Sequence, residues 1–410
     1  MTVAAKWDQP DWVAGRWNRR AAGACAVRVA FAADWAPIRR FAPIMAATPE
    51  AVYGDLLPLL LRNDLRIFNL ECPLTNCARP VVKSGSVLKG LPIHIQALQA
   101  ASCDVVTMAN NHVLDYGSAG LRETLQLLDD NAIRHVGAGM NPRQANRPLL
   151  GKVKGVRLAV LNFSEGEDLT AARAGPGVAG WQPARILARI RQLRAEVDFL
   201  AVVCHAGLEY VPCPPPYLVE TMQRLAAAGA DLVIGHHPHV PQGIQIHNGV
   251  PLCYSLGNFV FYQETGLLYR RLGYLLLAEI SKHGLDGFSI VPYAITEDGL
   301  ALLPPARRAD FFDALRRVSE PLASAEGRMS AWHGFLRHCG RAGLTREIEL
   351  IMHTMARDPS KGAAMLRNRM TTLQHNRHWQ DLLTRIMDGT LDDAPCWAVE
   401  LIEEWMTRSR

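Results

Sequence analysis

The sequence predicts an α/β protein that continues into an all-helical C-terminal region. Three observations carry that prediction. Short β-branched or aromatic apolar runs alternate with helix-length segments from Val27 onward. The strand-like runs stop near Pro305, and apolar residues then recur at helical spacing. Apolar residues make up 49% of the 410 positions, enough to bury a large core.

Taken in order, residues 1–26 read as a loosely ordered arm. The strand candidates are "VRVAFAA", "LRIFNLE", "CDVVTMAN", "VRLAVLNF", "VDFLAVVCH", "ADLVIGHH" and "VPLCYSLGNFVF". Helices are expected at "GSAGLRETLQLLDDN" and "PARILARIRQLRAE", which lie between strands and so argue for buried parallel pairing. "YLLLAEISKHG" and "DGFSIVPYAITEDG" should return on each other as a hairpin. Residues 27–304 thus form one unit, and residues 305–410 a helical accessory domain. In the latter, Phe311, Phe312, Leu315, Val318 and Leu322 make one stripe, and Met329, Trp332, Leu336 and Cys339 another.

The net charge of +5 is mild for this length and gives no reason to expect nucleic acid or a membrane surface as partner. Nine scattered cysteines with no C-x-x-C pair read as reduced thiols. The first residues lack an apolar signal region, so a cytoplasmic location is expected.

Ligands of α/β proteins gather at the C-terminal ends of strands. Those ends here carry Asp34, then Asn69 and Glu71, then Asn110-Asn111-His112, then His205, then His237-Pro238-His239. Oxygen and imidazole donors without thiolates suit Mn, Fe, Zn or Co. So many donors exceed the need of one tetrahedral ion, which points to one or two divalent transition ions. Each residue alone has a plainer explanation: a strand-end Asp caps a turn, and a single buried His is commonly a hydrogen-bonded core residue. Their recurrence at one structural position, strand after strand, is the signal.

"MANNHVLDYG", "HAGLEY", "GADLVIGHHPHVPQG" and "YSLGNFVF" together resemble the bacterial capsule-synthesis family, the CapA-like proteins of poly-γ-glutamate capsule production, within the calcineurin-like metallophosphoesterase superfamily. The resemblance spans roughly residues 27–300. It implies a four-layer α/β/β/α metallophosphatase-like sandwich with the site on loops at one edge. It further implies Asp34, Glu71, Asn111, His205, His237 and His239 as metal ligands, with Glu71 bridging, and His112 beside the reacting group. His236 falls outside the His-x-His spacing, as a neighbour of the site. Two departures stand out: Ala36 occupies the place of the first motif's histidine, and Ala206 replaces an aromatic residue, which would widen the pocket.

The chemistry this implies is hydrolysis of a small or oligomeric anionic substrate, such as a phosphoester, by a metal-activated water. His112 would serve as the proton-transfer residue, with Asp115 either orienting it or capping the next helix. Asn69, Lys89, Glu209, Tyr210, His236 and Asn258 are the expected substrate-contacting residues; Lys83, Arg270 and Arg271 are further candidates for holding an anion. Two alternatives remain at this level: a non-catalytic accessory protein of capsule production, and metal-dependent amide hydrolysis or transfer on a γ-glutamyl or peptide-like substrate. The helical region, with its balanced charge, is expected to make protein contacts.

Overall fold

Nearly all of the apolar runs become strands of two mixed sheets in a computed structural model that describes residues 9–20 and 26–409. The first sheet has the order β1 (Arg16–Asn18), β15 (Gly284–Ile295), β14 (Leu272–Ser281), β2 (Val27–Trp35), β3 (Leu65–Leu70), β4 (Val105–Thr107) and β5 (Arg134–Val136). A short β16 (Leu300–Leu302) pairs with β15. The second sheet has the order β12 (Ile244–His247), β13 (Val250–Cys253), β11 (Leu232–His236), β10 (Phe199–His205), β8 (Val156–Ser164) and β7 (Leu149–Val153). A two-stranded ribbon, β6 (Ala138–Gly139) with β9 (Gly177–Val178), stands apart. The central strands β2–β5 and β8–β10–β11–β13 run parallel, as their continuous apolar runs require.

Side-chain alternation along β10 sets the layers. Phe199, Ala201 and Val203 join the core shared with the first sheet, whereas Leu200, Val202 and Cys204 pack on α6 (Pro183–Arg194) and α7 (Pro216–Ala227). The first sheet is covered by α1 (Phe41–Ala47), α2 (Leu57–Leu61), α3 (Ile95–Ala100) and α4 (Gly117–Asp130), through Phe41, Met45, Leu60, Leu98 and Leu121. The four-layer α/β/β/α order is therefore present. A single turn, α5 (Pro142–Ala145), precedes β7.

Two expectations need correction. Residues Arg16–Asn18 of the arm are an edge strand, held because Trp17 stacks on Phe288 with ring centroids 5.7 Å apart; residues 1–8 and 21–25 lie outside the described residues. In "VPLCYSLGNFVF" only Val250–Cys253 is a strand. The remainder crosses from the second sheet to the first, bridging Gly257 to Gly273 and Asn258 to Asp34. Gly257 has φ 82°, and a Cβ there would sit 2.7 Å from the Leu272 carbonyl oxygen, so the crossing requires glycine.

The C-terminal region is helical throughout: α8 (Pro305–Ser319), α9 (Ala325–Arg357, broken at Gly340), α10 (Pro359–Thr371), α11 (Leu373–Met387) and α12 (Cys396–Thr407). The α8 stripe Phe311, Phe312, Leu315 and Val318 packs into the sandwich core itself. The later helices form a separate cluster around Trp332, Phe335 and Leu336, while Met329 stays exposed. Leu208, Val211 and Cys213, from the loop after β10, are buried in that helical cluster. Tyr269 stacks on Trp405 of α12 at 3.8 Å. No single helix among the described residues is long and apolar enough to cross a membrane. The eight cysteines among them are all free; Cys25 lies outside the described residues.

Candidate metal centre

Parallel strands end together, and the side chains at those ends converge. Asp34 is the penultimate residue of β2, Glu71 follows β3 and Asn111 lies in the turn between β4 and α4. His205 ends β10, while His237 and His239 follow β11. Asp34, Glu71, Asn111, His205, His237 and His239 are all at most 4% exposed. Three donor groups arise, each with its ligand atoms within 4.8 Å of one another: Glu71–His205–His237, Asp34–Glu71–His239 and Glu209–His237–His239. Glu71 belongs to two of them, its Oε1 lying 3.3 Å from His205 Nε2 and 3.5 Å from His239 Nε2. Asn111 Oδ1 lies 3.0 Å from His205 Nε2. All six expected ligands are thus brought to one place.

Buried atoms without partners show what the arrangement lacks. Neither oxygen of Glu71 has a hydrogen-bond partner among the described residues, and His236 Nδ1 and His237 Nδ1 are also bare. Burying an unpaired carboxylate is costly unless a cation compensates it. Burial, and then the negative charges of Asp34 and Glu209, push the Glu71 carboxyl well above its usual range. For Asp34 burial acts upward, but the hydrogen bond and charge of His239 prevail and hold it low. Burial and the neighbouring His237 keep His205 neutral, the form that ligates a metal. Burial acts downward on His239, but the hydrogen bond and charge of Asp34 prevail and raise it. An unpaired Glu71 carboxyl facing the neutral imidazoles of His205 and His237 fits a divalent cation.

The loop that carries the His-x-His pair is held in a costly conformation. His237 and His239 have φ of 102° and 56°, and Tyr210 opposite has 67°. Such backbone costs about 1–3 kcal/mol per residue and persists only where its surroundings impose it. Here Ala206 N donates to His236 O at 3.0 Å and Tyr210 N to Pro238 O at 2.7 Å, which binds the two loops together.

Beside the cluster is a cavity of about 200 Å³ whose walls include Arg39, His112, Glu209, Tyr210 and Phe261. His112 Nδ1 lies 2.7 Å from Asp115 Oδ2, so Asp115 orients the ring, and α4 begins at Tyr116 without a side-chain cap. Asp115 also accepts from Leu88 N and from Lys83 Nζ. Burial and the Lys83 ammonium push the His112 pKa below its usual value, leaving the ring neutral.

Several expected substrate contacts have other work. Asn69 is buried and donates to Asp34 Oδ1 at 2.8 Å, and Asn258 accepts from His239 Nδ1 at 2.8 Å; both orient ligands from behind. His236 is buried with Nδ1 3.5 Å from Asp34 Oδ1. Lys89 donates to Cys77 O and sits over the Tyr116 ring, away from the cavity. Lys83 is consumed by Asp115, and Arg270 and Arg271 stack on Tyr210 and Tyr262. Ala206 is buried among the residues covering the second sheet, so its small size does not widen the cavity. Of the predicted contacts, Glu209, Tyr210 and Lys83 do line it. Sequence reasoning missed Glu167, which accepts from Asn111 Nδ2 at 3.1 Å, and Glu209 as a partner of the histidines.

The chain is 34% identical over 252 residues to the PGA biosynthesis protein CapA of Bacillus subtilis, covering 60% of this chain and 66% of that protein. It is 31% identical over 245 residues to a probable polyglutamine synthesis accessory protein of Mycobacterium tuberculosis, covering 53% and 64%. The chain thus spans slightly under two thirds of the length of each. A 5'-nucleotidase precursor from Thermus thermophilus aligns at a TM-score of 0.41 with 14% identity, over 71% of this chain and 57% of that one. The family model "Bacterial capsule synthesis protein PGA_cap" matches residues 27–263, from the start of β2 past the final histidine pair, and the chain belongs to that family.

Proposed function

We propose that the protein is a metal-dependent hydrolase of the capsule-synthesis family, acting on a phosphoester or related anionic substrate. The observation that carries this is the pairing of a bare, buried carboxylate–imidazole cluster with an oriented histidine at the wall of the adjoining cavity. Asp34, Glu71, Asn111, His205, His237 and His239 would hold one or two divalent ions of the Mn, Fe, Zn or Co type, which when bound would supply Lewis acidity and lower the pKa of water.

The chain's own residues do the rest. Asn69 and Asn258 fix Asp34 and His239. Asp115 accepts from His112 Nδ1, which leaves Nε2 with a free lone pair. Resting neutral, His112 takes up at Nε2 the proton that the attacking water loses and returns it to the leaving oxygen. Arg39 at the cavity wall contributes positive charge for an anionic substrate.

The test is metal analysis of the purified protein followed by a screen of phosphoester and amide substrates. His112→Asn should retain metal and lose about 10²–10⁴-fold in turnover. Unchanged turnover removes His112 from the reaction. Because one relative is named an accessory protein, the second reading is a binding role; it prevails if no substrate turns over with any metal while a capsule polymer binds tightly.

A further inference from the structure

We infer that the helical region is a working part of the metal centre: His375 and Asn368 hold Glu167, and Glu167 sets the orientation of Asn111 and His237. This rests on the metal-site reading above and goes beyond it, because α10 and α11 lie outside the family-matched residues 27–263.

The contacts form a continuous chain. Glu167 Oε1 accepts from Asn368 Nδ2 at 2.9 Å and lies 3.1 Å from His375 Nε2. Its other oxygen accepts from Asn111 Nδ2 at 3.1 Å and lies 3.5 Å from His237 Nε2. Asn368 is 1% exposed, and its own Oδ1 accepts from Thr372 Oγ1 and from the Asp168 backbone. Its side chain is therefore fixed with the NH₂ towards Glu167.

The consequence falls on one atom. An amide offers an oxygen that can ligate a cation and an NH₂ that cannot. With Glu167 accepting from Nδ2, Asn111 must present Oδ1 towards His205 and the carboxylate cluster. Without that acceptor, only the 3.0 Å contact of Oδ1 with His205 Nε2 would distinguish the two ends of the Asn111 amide among the described contacts. The loop carrying Glu167 is itself strained, with Asp168 and Leu169 at φ 53° and 64°, so it relies on the helices to hold it. The same helices line a chamber of about 280 Å³ that shares Gly85, Glu167 and Glu209 with the cavity beside the metal cluster.

His375 and Asn368 are positioning residues, and their role is read by Co²⁺ titration of the full chain, following affinity and the visible absorption spectrum. Glu167→Ala should weaken Co²⁺ binding by about 10–100-fold, the usual effect of losing a residue that orients a ligand. The double variant Asn368→Ala/His375→Ala should weaken it in the same direction and alter the spectrum. Adding Glu167→Ala to the double variant should give no more than Glu167→Ala alone, and His375→Gln, which keeps a donor, should restore most of the affinity. Should Glu167→Ala not fold, the double variant and His375→Gln still decide the matter. Wild-type affinity and spectrum in the double variant, even with a lowered melting temperature, overturn this inference alone. No cobalt uptake by the wild type overturns the metal reading and this inference together.

Discussion

Glu71 and Asp115 are buried carboxylates in neighbouring clusters, and their surroundings are opposite. Asp115 is satisfied on every side, by Lys83 Nζ at 2.8 Å, His112 Nδ1 at 2.7 Å and Leu88 N at 2.6 Å. Among the described residues, Glu71 has no hydrogen-bond partner on either oxygen. The first cluster brings its own cation; the second leaves room for one. Charge burial alone therefore does not mark a metal position. Charge burial without a resident partner is what the proposed metal reading rests on.

Removing Asp115 should cost most. Asp115→Ala leaves Lys83, 3% exposed, without its close counter-charge, and should destabilise the fold by about 3–5 kcal/mol. Adding Lys83→Met should recover much of that loss, measured by urea unfolding. Full loss persisting in the double variant would mean that the pair acts by packing rather than charge.

Glu165 is an intermediate case, with two donors, Tyr217 Oη at 2.5 Å and Gly207 N at 3.0 Å, but no paired cation among the described residues. Burial outweighs those hydrogen bonds and pushes its carboxyl from about 4.5 up to about 8. Because the folded state holds this proton more tightly than the unfolded one, its stabilising contribution is complete below pH ~4.5. It is lost as the pH rises to about 8, by a few kcal/mol at most. Glu165→Gln cannot titrate, so the stability difference between variant and wild type should move in the variant's favour across that window and then level off. A difference that is flat with pH would place the ionised carboxylate in the folded protein.

Glu71 should give the smallest change in the metal-free fold and the clearest change in binding. Glu71→Leu replaces a buried carboxyl that has no hydrogen-bond partner among the described residues, so the metal-free protein should be unchanged or more stable by ~1–2 kcal/mol. The same variant should lose the rise in melting temperature that divalent ions give the wild type, a rise worth about 4 kcal/mol at a thousandfold excess over Kd. A large loss of stability without metal would place an unseen partner on Glu71.

The sandwich, and the gathering of Asp34, Glu71, Asn111, His205, His237 and His239 in one place, were legible because parallel buried strands announce themselves twice, by β-branched runs and by the polar residue at or just past the end of each run. Asp34, His205 and His237 all follow that rule. The crossing segment Tyr254–Phe261 defeated it: its alternating aromatics serve two sheets at once, anchored by Gly257 rather than by a ladder. Lys83, a single lysine in an irregular stretch, gained meaning only from Asp115. Glu167 carried no periodic signal at all, because the residues that define it lie far along the chain and on helices whose apolar stripes point elsewhere.

That distance also has a meaning in time. Glu167 and His375 are separated by 208 residues, Glu167 and Asn368 by 201. A chain emerging from the ribosome in order has every strand-end donor available before α10 and α11 exist. The ligand set is assembled early, and the clamp that orients its amide arrives late. Synthesis itself thus separates gathering the donors from setting their final geometry, and a chain cut short before α10 would keep the first without the second.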